Sequence, residues 1–290
     1  MEARLSPGVA RHWRVFVSAS ALAAAVIGLL IGIANVASHM ASDPLADVHA
    51  YYDAAARLNA GLPLYEQAVD TNAAAFYRYP PLLAIAFRPL ALLPFPVAAT
   101  IWDVGIVAAF AAAVLLRAGP RPRTAFLLAI LALPIGWSVV IGQAQVLVTA
   151  LLLVGSPAAV AVAGHLKLLP FLVALWWIGR REWRPLGRFV AWTVALAVVQ
   201  LILEPAGTLA YLRFPSLAQV GDVNNLSPFA ISPLLWAGLV AVGALVTIRL
   251  APTRYGWPAA IAFSVLATPR LLSYQLSTLV AGLRRPEDRA

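Results

Sequence analysis

Long uncharged stretches alternate along this chain with short clusters of arginine. Val15 to Ser42 carries no charged residue, and neither does Thr124 to Leu166. A bilayer crossing needs only about 20 apolar residues, so the second run holds more than one crossing. Backbone groups in lipid must be paired internally, and the strict alternation of a membrane barrel is absent, so the pattern predicts helices. The predicted spans are 15–36, then 82–95, 97–116, 124–140, 142–155 and 158–178, followed by 189–204, 232–248 and two further passes that meet near Pro269. The expectation is an all-α polytopic membrane protein of about ten transmembrane helices.

The arginines orient these spans. Positive charge gathers on the cytoplasmic side, so Arg4, Arg11 and Arg14 place the N-terminus inside, and Arg180, Arg181, Arg184 and Arg188 mark a second cytoplasmic loop. An odd number of crossings must then separate Pro80 from Arg180. Five crossings put Arg117, Arg121 and Arg123 outside, against the charge rule; three crossings with re-entrant pieces keep them inside, and both arrangements stay open. Residues 38–80 and 206–231 become external loops, while Arg249, Arg254 and the tail "RRPEDR" lie inside. The first apolar stretch is too long for the core of a signal peptide, which favours an uncleaved first helix. The reading is one integral domain over residues 1–290, in a plasma membrane of bacterial type, with both termini cytoplasmic.

Composition changes this picture only by exclusion. The chain has 290 residues, 62% of them hydrophobic and 11% charged, with a formal net charge of +9. That charge falls in clusters between apolar runs, the pattern of membrane topology rather than of a nucleic-acid partner. There are no cysteines, which excludes thiolate chemistry and disulfides. His39 and His49 lie near the acidic first loop without the tight spacing of a metal site, so neither a metal nor a cofactor is indicated.

The first external loop holds five of the twelve acidic residues. Asp43 followed by Pro44 reads as a helix N-cap with proline at the first helical position, and Gly61 with Pro63 reads as the stop. Residues 44–60 should form one short amphipathic helix at the outer surface. Within it Asp53 meets Arg57 at the i,i+4 spacing of an ordinary solvated pair. Asp47 has Tyr51 at i+4 and Asp43 at i−4, and the helix offers it no basic neighbour at that spacing. A carboxylate beside a like charge and an aromatic suits a base; an acid in a first turn is also favoured by the helix dipole alone.

The blocks "DVHAYYDAAARLNAGLPLY", "YRYPPLLAIAFRPLALLPFPVAATIW", "GQAQVL" and "HLKLLP" ahead of "RREWR" occur in this order over residues 43–188, with a weaker echo at "ATPRLLSYQL". The ordered set resembles glycosyltransferase family 87, the polyprenyl-phosphate-sugar-dependent membrane mannosyltransferases. The resemblance implies a GT-C fold whose site lies at the outer membrane face, with a catalytic aspartate in the first external loop. The family's D-x-x-x-Y pattern puts that aspartate at Asp47. The implied activity moves a hexose, mannose first, from a polyprenyl-phosphate donor to a lipid or glycan acceptor with inversion.

Polyprenyl phosphate is a weakly basic leaving group, so one carboxylate suffices where a glycosidase needs two. Asp47 would be general base on the acceptor hydroxyl, and cations would hold the phosphate. Lys167 is the only lysine and lies within an apolar run, where charge is costly and usually functional. The family's K-x-x-P block falls on Lys167 and Pro170, making Lys167 the first phosphate ligand, with Arg270 and Arg78 as further candidates. Snorkelling to an interface is the plainer account of such a lysine. Arg88 is expected to pair with Asp103 on the next helix. Tyr51 and Tyr79, with Tyr52, Tyr65 and Tyr77, would form an interfacial aromatic belt or a wall for the sugar. In the second loop Asp222, Asn224, Asn225 and Ser227 could bond sugar hydroxyls or simply form a turn.

The chain departs from the family near its last spans, where many members carry an aspartate or histidine beside the tyrosine; here stand Ser273, Tyr274 and Gln275. It is also shorter than typical members, which suggests a compact enzyme with an altered acceptor or a partner subunit without activity. Two other classes fit parts of the pattern: a secondary transporter with Lys167 at a midplane anion site, and a non-enzymatic scaffold for envelope assembly.

Overall fold

The computed structural model describes residues 7–42, 44–65, 76–212 and 225–284. They are predominantly helical, in the order α1 (Pro7–Ser42), α2 (Ala46–Asn59), α3 (Pro81–Phe87), α4 (Phe95–Ala113), α5 (Pro122–Ile130), α6 (Ala132–Val140), α7 (Gln145–Val154), α8 (Pro157–Leu166), α9 (Ala174–Gly179), α10 (Trp183–Leu203), α11 (Pro205–Leu212), α12 (Pro233–Leu250) and α13 (Gly256–Leu266). A π-helical turn extends α4 to Ala118, and 3-10 helices cover Leu169–Val173 and Ser273–Leu283.

Among the described residues four helical stretches are long and apolar enough to cross a membrane: Val15–Ser42, Phe95–Ala118, Trp183–Leu203 and Pro233–Leu250. At most 22% of the most apolar window in any of them is buried within the protein. So much outward apolar surface is what lipid, not water, would cover. A fifth span arises if α5 and α6, which bend by 65° at Leu131, are taken together.

Among the described residues four or five spans, not the expected ten, pass by length and composition. The predicted crossing at 82–95 is α3, a helix of 7 residues, followed by a 3-10 turn. At 1.5 Å per residue it is roughly 10 Å long, a third of a bilayer core. The predicted 142–155 crossing is a helix of 10 residues, and the predicted 158–178 crossing is a second of 10 residues that ends before Lys167, followed by the short apolar helix Leu169–Gly179. Hydropathy reports that a stretch is apolar, but not that it runs straight. The bend in α5–α6 and the short helices after it are closer to the alternative with re-entrant pieces.

The broken helices pack inside the long ones. α1 lies along α5 and α6 because small residues let the backbones approach: a Cβ at Gly32 would stand 2.6 Å from the Ala132 carbonyl carbon. α2 lies against α3, with Val48, Ala50, Tyr51, Ala54, Ala55 and Leu58 buried. It begins two residues later than expected, with Leu45 in the left-handed region (φ 61) preceding it, whereas Asp43, the expected cap, lies outside the described residues. It ends as expected, with Gly61 at φ 70.

Candidate active site

The first turn of α2 and the last turn of α6 leave backbone groups that no helix of their own can pair. They pair with each other: the Leu45 N–H donates to the Val140 carbonyl at 2.9 Å and the Asp47 N–H to the Ile141 carbonyl at 3.0 Å. The chain then turns at Gly142, whose φ of +66° and close contact with Val48 and Asp103 exclude a side chain. This turn delivers Gln143 to the carboxylate of Asp47.

Gln143 is buried, and its whole amide is used. Its Nε2 donates to Asp47 Oδ2 at 3.0 Å, while its Oε1 accepts from the hydroxyls of Tyr51 at 2.9 Å and Tyr79 at 2.8 Å. Tyr51 in turn accepts from the Ala144 N–H at 3.1 Å. The Tyr79 hydroxyl also stands 3.4 Å from Asp47 Oδ1. Burial, and after it the Asp47 charge, push both phenols well above their usual range, so both remain hydrogen-bond donors.

Lys167 also approaches the ring of Tyr79. It lies not within a helix, as expected, but at the break after α8, with extended backbone (φ −149, ψ 124). Pro170, which lacks an N–H, sits in the first turn of the 3-10 helix that follows, Leu169–Val173. The ammonium sits 5.3 Å from the Tyr79 ring centre and 4.9 Å from that of Tyr274, within cation–π range of both. Arg78 and Arg270 belong to the same neighbourhood. Burial, then the Arg270 guanidinium, lower the pKa of Arg78, opposed by Tyr79, Tyr274 and Asp47. Asp47, Tyr79, Lys167, Arg78 and Arg270, drawn from distant parts of the sequence, thus converge.

Behind Lys167 a second chain of hydrogen bonds fixes its segment. His165 Nε2 faces the Thr193 carbonyl at 3.0 Å and its Nδ1 faces Gln200 Nε2 at 2.7 Å. Gln200 Oε1 accepts from the Leu82 N–H at 3.0 Å. This assigns the proton of a neutral imidazole to Nε2 and ties α8, α10 and α3 together.

Other expected residues have structural positions. Asn225 donates to the Pro269 carbonyl and accepts from the N–H groups of Ser227 and Leu271, each at 2.9 Å, joining the second loop to the Arg270 segment. Asp222 and Asn224 lie outside the described residues. Arg88 does not bond Asp103: its Nε donates to Asn59 Oδ1 at 2.9 Å, and Asp103 Oδ1 is buried with no hydrogen-bond partner. Asp53 is exposed, and Arg57 Nε donates to the Pro63 carbonyl at 3.0 Å. The tyrosines are no surface belt. Tyr51 and Tyr77 are buried, and Tyr77, Tyr65 and Tyr52 donate to the carbonyls of Pro80, Tyr79 and Leu93.

Sequence reasoning missed Gln143 as a functional side chain. Its signal was present: a glycine followed by a glutamine that interrupts an otherwise apolar run. Beside Lys167 a cavity of about 50 Å³ has Gln145, Ser264, Thr268, Gln275 and Thr278 on its walls. Among the described residues no group of three or more histidine, aspartate or glutamate side chains is placed to hold a metal ion.

Comparison with known proteins adds an independent finding. Residues 76–281 match the family described as Glycosyltransferase family 87. The chain is 30% identical over 205 residues to a polyprenol-phosphate-mannose-dependent alpha-(1-2)-phosphatidylinositol pentamannoside mannosyltransferase of Mycolicibacterium smegmatis, covering 64% of this chain and 49% of that protein. It is 30% identical over 217 residues to the protein of the same description in Mycobacterium tuberculosis, covering 67% and 49%. The chain therefore spans about half the length of these curated relatives. No solved structure matches it.

Proposed function

The chain belongs to glycosyltransferase family 87, and from that premise we propose that it moves a hexose, mannose first, from a polyprenyl-phosphate carrier to a lipid-linked or glycan hydroxyl at the outer membrane face. One observation carries this reading. A carboxylate held by the Gln143 amide stands 3.4 Å from the Tyr79 hydroxyl, and the Lys167 ammonium stands 5.3 Å from the centre of the same ring.

In this reading Asp47 accepts the proton of the acceptor hydroxyl as its oxygen attacks the anomeric carbon. The bond from that carbon to the phosphate oxygen breaks, and its electron pair leaves with the polyprenyl phosphate. Lys167, with Arg78 and Arg270, receives the charge that grows on the phosphate, where fixed donors are most effective. Attack opposite the leaving group inverts the anomeric centre. Tyr79 sets the spacing between the two halves of the site. The donor and acceptor classes are supported by what the two mycobacterial relatives are described as using. The outer-face location is supported by the arginine pattern.

The test replaces Asp47 with Asn in protein purified into lipid and measures release of polyprenyl phosphate from a polyprenyl-phosphate-mannose donor. Loss of a general base lowers turnover roughly 10²–10⁴-fold, with thermal unfolding close to wild type. Turnover within a few fold of wild type would refute the assignment.

A further inference from the structure

The cavity beside Lys167 has a hydrogen-bonding polarity that can be worked out proton by proton. The Thr149 hydroxyl donates its one proton to the Gln145 carbonyl at 2.8 Å. Its contact of 3.0 Å with the Thr278 hydroxyl must then run from Thr278 to Thr149. With its own proton committed, Thr278 can only accept from Gln145, so the nitrogen of the Gln145 amide faces Thr278. That leaves Gln145 Oε1, on a side chain only 5% exposed, as a buried acceptor with no partner. Ser264 likewise donates away from the cavity, to the Ile261 carbonyl at 2.8 Å, and keeps its lone pairs.

An orphaned buried acceptor costs about 1–3 kcal/mol and calls for a ligand that brings a proton. A phosphate at neutral pH offers mainly acceptors. A sugar edge offers hydroxyl donors, and its C–H groups suit the apolar part of the wall, formed by Leu169, Pro170 and Val265. The cavity volume of about 50 Å³ admits a few water-sized groups. That is room for the hydroxyl edge of one hexose and too little for a carrier lipid. Lys167, which the proposed function assigns to the phosphate, lines the same cavity.

We infer that this cavity receives the hydroxyl edge of the donor's hexosyl group and that Gln145 Oε1 accepts a hydrogen bond from one of its hydroxyls, making Gln145 a residue that discriminates between donor sugars. The inference rests on the polyprenyl-phosphate-sugar reading and specifies where its sugar lies. Gln275, at the position where the chain departs from its family's pattern, lies on the same wall.

Binding of polyprenyl-phosphate mannose and of bare polyprenyl phosphate is measured without acceptor, for wild type and Gln145→Met, a change that conserves volume. The variant is expected to bind the mannosylated lipid about tenfold more weakly and the bare lipid unchanged. Wild type should lose a similar factor for one monodeoxy-mannose donor, and the variant should not distinguish it. Thr268→Val, on the wall but outside the threonine network, should weaken the mannosylated donor roughly threefold, and it carries the test if Gln145→Met does not fold. Equal affinity of wild type and both variants for the donor, or equal weakening of both lipids, overturns the inference. An effect seen only as a raised KM for the acceptor also overturns it, because it places the acceptor in the cavity. Failure of wild type to bind either lipid is a different result: it removes the proposed function, and this inference with it.

Discussion

The long outer helices and the short inner ones are built from nearly the same residues and do opposite work. α10 and α12 are continuous and apolar, and carry their hydrophobic side chains outward, with Leu234 84% exposed. α5 to α9 are just as apolar, yet they break at Leu131, Gly142, Ser156 and Lys167. Each break releases backbone groups, which membranes tolerate only where protein buries them. At Gly142 those groups hold α2, and with it Asp47; at Lys167 the break turns a cation towards Tyr79. The lesson is that hydrophobicity specifies the compartment, whereas interruptions specify the chemistry.

Changes at the interruptions should therefore cost far more than changes along the outer faces. The largest effect is expected for Gly142→Val. A side chain at φ +66° costs about 1–2 kcal/mol, and overpacking against Val48 and Asp103 adds roughly 1–3 kcal/mol. Thermal unfolding in detergent should show a markedly lowered midpoint, and transfer activity should disappear. Unchanged stability would mean that the turn is not needed.

A smaller effect, confined to turnover, is expected for Gln143→Leu, which removes the amide between Asp47 and the two phenols. The kcat should fall roughly 10–100-fold because the base loses its orientation, while Kd for the donor lipid stays within about twofold. A change in Kd alone would reassign Gln143 to binding. The smallest effect belongs to Leu234→Ala on the outer face of α12, expected within about 0.5 kcal/mol of wild type. A larger loss would show that α12 packs against a partner rather than lipid.

What the sequence revealed follows the same division. The loop helix was legible within two residues at its start and at its end, where Gly61 and Pro63 punctuate it, and Asp47 stood out because its own helix gives it no basic neighbour. Lys167 stood out as the only lysine, in an apolar run. The inner architecture was not legible. Hydropathy averaged over Thr124 to Leu166 separates spans near Gly142 but registers no bend at Leu131, and it read short pieces as full crossings. Gln143 and Gln145 interrupt the apolar run visibly, but an uncharged amide has no legible role until its partners, Asp47 and Thr278, are brought to it from elsewhere in the chain. The expected Arg88–Asp103 pair failed because Asn59, from the loop helix, reaches Arg88 first.

The pairing of the α2 and α6 ends has an evolutionary corollary. Since peptide groups of Val140 and Ile141, not side chains, accept the hydrogen bonds that anchor the segment bearing Asp47, exchanging one side chain for another at those two positions leaves the acceptors in place. In the proposed reading, sugar preference can then drift through Gln145, Thr268 or Gln275 while Asp47 keeps its address.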